Sequence, residues 1–79
     1  MAWMNRVFTA EEIAPFLKEK LPDMMKSAEI VSVQNKGFVW RKGFPLDIQI
    51  KDKNGNFENI SVYFKPKSQE LLIDKISSI

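Results

Sequence analysis

The chain has 79 residues, and chains this short bury only about 60% of their unfolded surface, so one domain, residues 1–79, with a one-sided core is expected. Hydrophobic residues make up 44% and charged residues 28%, which argues against disorder, while the lack of cysteine excludes disulfides and thiolate metal sites. The net charge of +2 is too small to announce a nucleic-acid partner. Residues 1–6 hold no continuous apolar run, so neither a signal peptide nor a membrane contact is expected, and the cytoplasm is the expected compartment.

The chain opens with a dense apolar set: Trp3, Met4, Val7 and Phe8. Packing onto a sheet edge or into the core is the expected use of these residues. Otherwise Trp3 and Phe8 would form a contact patch for a partner or a second copy of the chain. Thr9 and Glu12 then form a capping box, and Phe8 and Ile13 sit where a hydrophobic staple closes, so a helix starts here. Ile13, Phe16, Leu17, Leu21 and Met24 follow one helical face. Pro15 lies inside that pattern and can cost ~3 kcal/mol, which predicts a kink or break near Ala14. Pro22 marks the end of the regular helix, with Asp23 to Lys26 as a loose final turn. Met24 and Met25 read as adaptable core filler.

Ala28 to Gln34 reads as a first strand, with Val31 and Val33 on one face and Ile30, Ser32 and Gln34 on the other. After Lys36-Gly37 a short second strand, Phe38 to Trp40, is expected. A three-residue loop, Arg41-Lys42-Gly43, would set Trp40 opposite Phe44 and Phe38 opposite Leu46, both facing the core. A two-residue Lys42-Gly43 loop would instead expose Phe38 and Trp40 beside Tyr63 as an aromatic patch.

The strongest pattern lies between Phe44 and Phe64. Phe44, Leu46, Ile48 and Ile50 alternate with polar residues and proline, as do Ile60, Val62 and Phe64. Asn54-Gly55 marks a hairpin between them. A two-residue loop would turn the two apolar faces to opposite sides. A three-residue loop, Lys53-Asn54-Gly55, instead pairs Phe44 with Phe64, Leu46 with Val62 and Ile48 with Ile60, and gives the left-handed third position to glycine. All three glycines then close hairpin loops. Pro66 stops the last strand, and Ser68 offers an N-cap for a closing helix in which Leu72, Ile76 and Ile79 share a face.

The expected fold is therefore α+β and two-layered: a four-stranded antiparallel β-meander with an N-terminal and a C-terminal helix packed on one face, in the order α-β-β-β-β-α. The other face stays open, carrying Gln34, Arg41, Gln49, Lys51, Asn59, Ser61, Tyr63 and Lys65.

Catalysis finds little support, since without histidine or cysteine the usual general base, thiol nucleophile and best zinc ligands are missing. Residues 52–58 are superficially like a calcium loop, but the glycine comes too early and the spaced terminal glutamate is missing. No enzyme activity, metal, cofactor or small-molecule substrate is expected. From Lys36 to Lys67 there are seven basic residues against three acids, so the strand region is the basic half.

A nucleic-acid reading would use Arg41, Lys42, Lys51, Lys53, Lys65 and Lys67 for phosphates, with Gln49, Asn59 and Tyr63 for base or sugar contacts. The stretch from Gly37 to about Ile76, three strands and a helix around Lys51-Asp52-Lys53-Asn54-Gly55, resembles the amino-terminal arm-binding domains of tyrosine recombinases. The resemblance is generic, the 36 residues before it have no counterpart, and no family is assigned from it. Lysines on exposed strands also serve solubility alone. The first expectation is a small non-catalytic protein-binding module, an accessory, adaptor or inhibitor protein, acting through the open sheet face or the N-terminal apolar patch. A nucleic-acid-binding module is the alternative.

Overall fold

The structure is a computed structural model that describes residues 7–78. Its elements are α1 (Ala10–Lys20), a 3-10 turn (Asp23–Met25), β1 (Glu29–Asn35), β2 (Phe44–Lys51), β3 (Phe57–Lys65) and β4 (Glu70–Ser78). The four strands form one antiparallel sheet in the order β1-β2-β3-β4, so the small α+β architecture and the meander hold. Two expected elements do not. The carboxy-terminal helix is strand β4, and Phe38–Trp40 is part of a protruding turn, so α1 is the only α-helix among the described residues. The outline shared with recombinase arm-binding domains, three strands and a helix, loses its helix with this correction. Among the described residues no helix is long and apolar enough to cross a membrane.

The helix begins as its sequence dictates. Glu12 N–H donates to Thr9 Oγ1 at 3.3 Å, and Thr9 N–H donates to Glu12 Oε1 at 3.3 Å. Phe8 and Ile13 are both buried, closing the staple. The peptide of Phe8 is gripped by the Asn35 side chain, which accepts from its N–H at 2.8 Å and donates to its carbonyl at 3.3 Å. The start of the helix is thus tied to the end of β1. Pro15 does not break α1, which runs through it to Lys20. The proline is exposed, and so is Glu11, whose carbonyl loses its helical donor there and can take water instead.

The central hairpin has the expected register, with Phe44 opposite Phe64, Leu46 opposite Val62 and Ile48 opposite Ile60. Its apolar face meets Ile13, Leu17 and Leu21 of the helix, with Phe8 set edge-on against Phe44 and Phe64 at 5.0 and 5.2 Å. The loop is Lys53-Asn54-Gly55: Gly55 N–H donates to Asp52 O at 3.0 Å, Asp52 N–H to Asn56 O at 2.9 Å, and Gly55 adopts φ +86°.

Both outer strands carry a bulge. In β1, Ile30 faces Ile50 and Ser32 faces Gln49, leaving Val31 as the extra residue. Ile30 and Val33, not Val31 and Val33, therefore share the core side, and Val31 is exposed. In β4, Ile73 faces Val62 and Lys75 faces Ser61, leaving Asp74 as the extra residue. The turn into β4 closes with Gln69 N–H donating to Pro66 O at 3.3 Å, and Gln69 stands at φ +53°.

Between β1 and β2 the chain makes a tight turn held by Val39 and Gly43. Val39 N–H donates to Gly43 O at 2.8 Å, and Val39 O accepts from Gly43 N–H at 2.9 Å and from Lys42 N–H at 3.1 Å. Its tip is Trp40-Arg41-Lys42, not Arg41-Lys42-Gly43. This one-residue difference undoes the expected burial of Trp40, which is 75% exposed. Phe38 does turn inward, its ring 5.0 Å from that of Phe44.

Candidate functional site

The residues singled out by the sequence fall into two groups. Gln49, Lys51, Asn59 and Tyr63 lie on the side of the sheet away from α1, where Gln49 is paired with Asn59, Pro45 with Tyr63 and Lys51 with Phe57. The middle of this face carries charges of both signs, Asp47 with Lys36, and Lys75 opposite Ser61. Asp47, the acid at its centre, takes an ion pair from Lys36 Nζ at 2.8 Å and a hydrogen bond from Ser61 Oγ at 3.2 Å. Lys51 Nζ stands 5.7 Å from the Phe57 ring at the far end.

Arg41 and Lys65 form the second group, although Lys65, two residues after Tyr63 in β3, keeps to the same side of the strand. They line a cleft of about 830 Å3 at the end of the sheet, between the 38–43 turn and the turn from β3 to β4. Its apolar walls are Phe38, Trp40 and Phe44, and its rim carries Arg41, Lys65 and Lys67. Among the described residues none of these three cations has a carboxylate within ion-pair distance, and no carboxylate lines the cleft. Lys42 links the two groups, with Nζ 5.4 Å from the Tyr63 ring on the open face.

Two backbone features build this cleft. Gly43 stands at φ +99°, and a Cβ there would lie 2.6 Å from the Phe64 carbonyl oxygen, so only glycine lets the turn fold down onto β3. Arg41, at the tip, is left-handed at φ 72° although it is not a glycine. Such a conformation costs an L-residue about 1 kcal/mol or more and is retained where the surroundings demand it.

Phe8, expected to pack onto the sheet or into the core and otherwise to join a contact patch, is buried against Phe44 and Phe64, so the patch alternative does not hold for it. Its partner in that reading, Trp3, lies outside the described residues. The exposure of Trp40, which the sequence offered as the alternative to burial, depends on which residue closes the turn. The signal that could have found it is Trp40-Arg41-Lys42 itself, a bulky aromatic followed by two cations and then a glycine.

Elsewhere, the Asp52 carboxylate is spent on its own loop. Oδ1 accepts from Asn54 N–H and Asn56 N–H, each at 2.9 Å, and Oδ2 accepts from Asn56 Nδ2 at 3.4 Å. The Asn56 amide first, then that of Asn54, holds this carboxyl below its ordinary value, partly opposed by desolvation. Among the described residues no three acidic side chains gather as a metal site. No protein-family model, curated protein or solved structure matches the chain.

Proposed function

We propose that this protein is a small non-catalytic binding module, working as an accessory, adaptor or inhibitor protein, whose ligand is another protein. The observation that carries the reading is the cleft, where an exposed tryptophan and two phenylalanines stand beside three cations that, among the described residues, have no carboxylate within ion-pair distance. Aromatic side chains combined with arginine are the groups that dominate protein interfaces. The middle of the sheet face offers less, because its acid is already satisfied by Lys36 and Ser61. The lack of histidine and cysteine supports a non-enzymatic role, and the lack of cysteine is compatible with the cytoplasm.

Paired variants test this. In cross-linking pull-downs from the native host, Trp40→Ala with Lys67→Glu should lose a protein that the wild type retains. Tyr63→Ala with Lys51→Glu, on the open face, should keep it. The opposite pattern moves the site to the sheet face, and equal retention by both variants removes the cleft reading. If the retained species is a second copy of the chain, sedimentation shows it as mass that rises with concentration.

Nucleic acid is the second reading, favoured by one observation: Trp40 is exposed and next in sequence to Arg41 and Lys42, a stacking surface beside phosphate ligands. Binding to mixed single- and double-stranded nucleic acid at low salt, lost on charge reversal at Arg41 and Lys67, would establish it.

A further inference from the structure

We infer that the cleft recognises a short acidic segment of a partner protein that carries one bulky apolar side chain between its carboxylates. The inference rests on the cleft being the binding surface, as proposed above, and adds the chemistry of what enters it. The apolar part of the ligand follows from the walls. Phe38 and Phe44, packed edge to face at 5.0 Å, line the cleft together with Trp40, which is exposed and offers the apolar surface for one large side chain.

The acidic part follows from the rim. Arg41 comes from the 38–43 turn, Lys65 from the end of β3, where Glu70 is its partner on β4, and Lys67 from the turn that follows; all three line the same opening, and among the described residues no carboxylate lines it with them. Arg41 adds a second argument. It sits in a left-handed conformation that glycine would adopt without cost, so the side chain is worth more here than the relaxed backbone. A guanidinium at the mouth of an apolar cleft binds a carboxylate through a bidentate pair of hydrogen bonds.

A peptide fits this layout better than a nucleic-acid strand. A strand needs a track of cations spaced along several phosphates. Here Arg41, Lys65 and Lys67 line the cleft at one end and Lys51 and Lys53 stand at the other, while the face between them presents Asp47, Gln49 and Asn59. One apolar plug with carboxylates on either side matches the charge and the walls together.

The test uses the whole chain and four labelled probes in fluorescence polarisation, with backbone NMR shifts to locate binding. The probes are a short peptide of glutamates around one central phenylalanine, the same peptide with glutamines, the same with lysines, and oligothymidylate. The glutamate peptide should bind tightest and shift Trp40, Arg41 and Lys67. It should weaken as salt rises and lose about tenfold in affinity with Arg41→Gly, a change that relaxes the backbone and so keeps the fold.

Equal binding of the glutamine peptide in the cleft would overturn the acidic specificity and leave the cleft reading standing. Shifts confined to the sheet face, or absent with every probe, would overturn both. Tighter binding of oligothymidylate would replace the peptide with nucleic acid. Full glutamate-peptide binding by Arg41→Gly would remove the assigned role of the guanidinium.

Discussion

The two ends of the central hairpin are built on opposite terms. At the far end, the loop from Asp52 to Asn56 satisfies itself: one carboxylate accepts two backbone amides and a side-chain amide, and the left-handed position belongs to glycine. At the near end, Arg41 and Gln69 as well as Gly43 have positive φ, a tryptophan is exposed, and three cations line the cleft with no acid beside them in its lining among the described residues. Every local choice at the far end agrees with the fold, whereas several at the near end oppose it. Conflict between local preference and global structure concentrates where side chains are kept for another purpose. The comparison therefore supports the proposal that the near end is the binding end.

Substitutions can break that contrast. The largest effect is expected at Gly43, where alanine must adopt a left-handed backbone and also clash with the Phe64 carbonyl oxygen. Gly43→Ala should lower unfolding stability by about 2–3 kcal/mol. Gly55→Ala should cost about 1 kcal/mol, because its loop is open and only the backbone penalty applies. Equal losses in urea melts would mean that the near turn does not press on β3.

Next in size are gains. Arg41→Gly and Gln69→Gly should each raise stability by up to about 1 kcal/mol by relieving the left-handed residue. A loss at either site would show that its side chain supports the fold, and for Arg41 would withdraw the argument that it is held for a ligand.

The smallest effect is a pH dependence confined to the far end. The folded carboxyl of Asp52 lies below its ordinary value of 3.8. Its contribution is complete above that value and is lost as pH falls through the lower folded one. Below about pH 4 the urea midpoint of the wild type should therefore drop more than that of Asp52→Asn. Parallel curves would deny the loop its role.

Much of the fold was legible from residues. The capping box at Thr9, the staple of Phe8 and Ile13, and the full register of β2 against β3 followed from side-chain type and period alone. The last strand was not legible, for two physical reasons. Its entering turn is closed by Gln69 instead of glycine, so the punctuation that marked the other loops is missing. Its bulge at Asp74 breaks the two-residue alternation, so Leu72 faces Tyr63 and Ile76 faces Ile60 on opposite sides of the sheet, although their four-residue spacing is that of one helical face.

The bulge at Val31 misled in the same way, transferring Ile30 to the core side of β1. The candidate site was half legible. Arg41 and Lys65 were named, but the exposure of Trp40 turned on a single residue in the turn between β1 and β2, which hydropathy could not settle.

The kinks at Val31 and Asp74 also govern how these molecules can meet one another. Each interrupts the row of amides along an outward flank, so an incoming ribbon loses its match partway and cannot zip along the full length. Side-by-side growth into fibrils is discouraged from both flanks, and visitors are left to arrive at the tip.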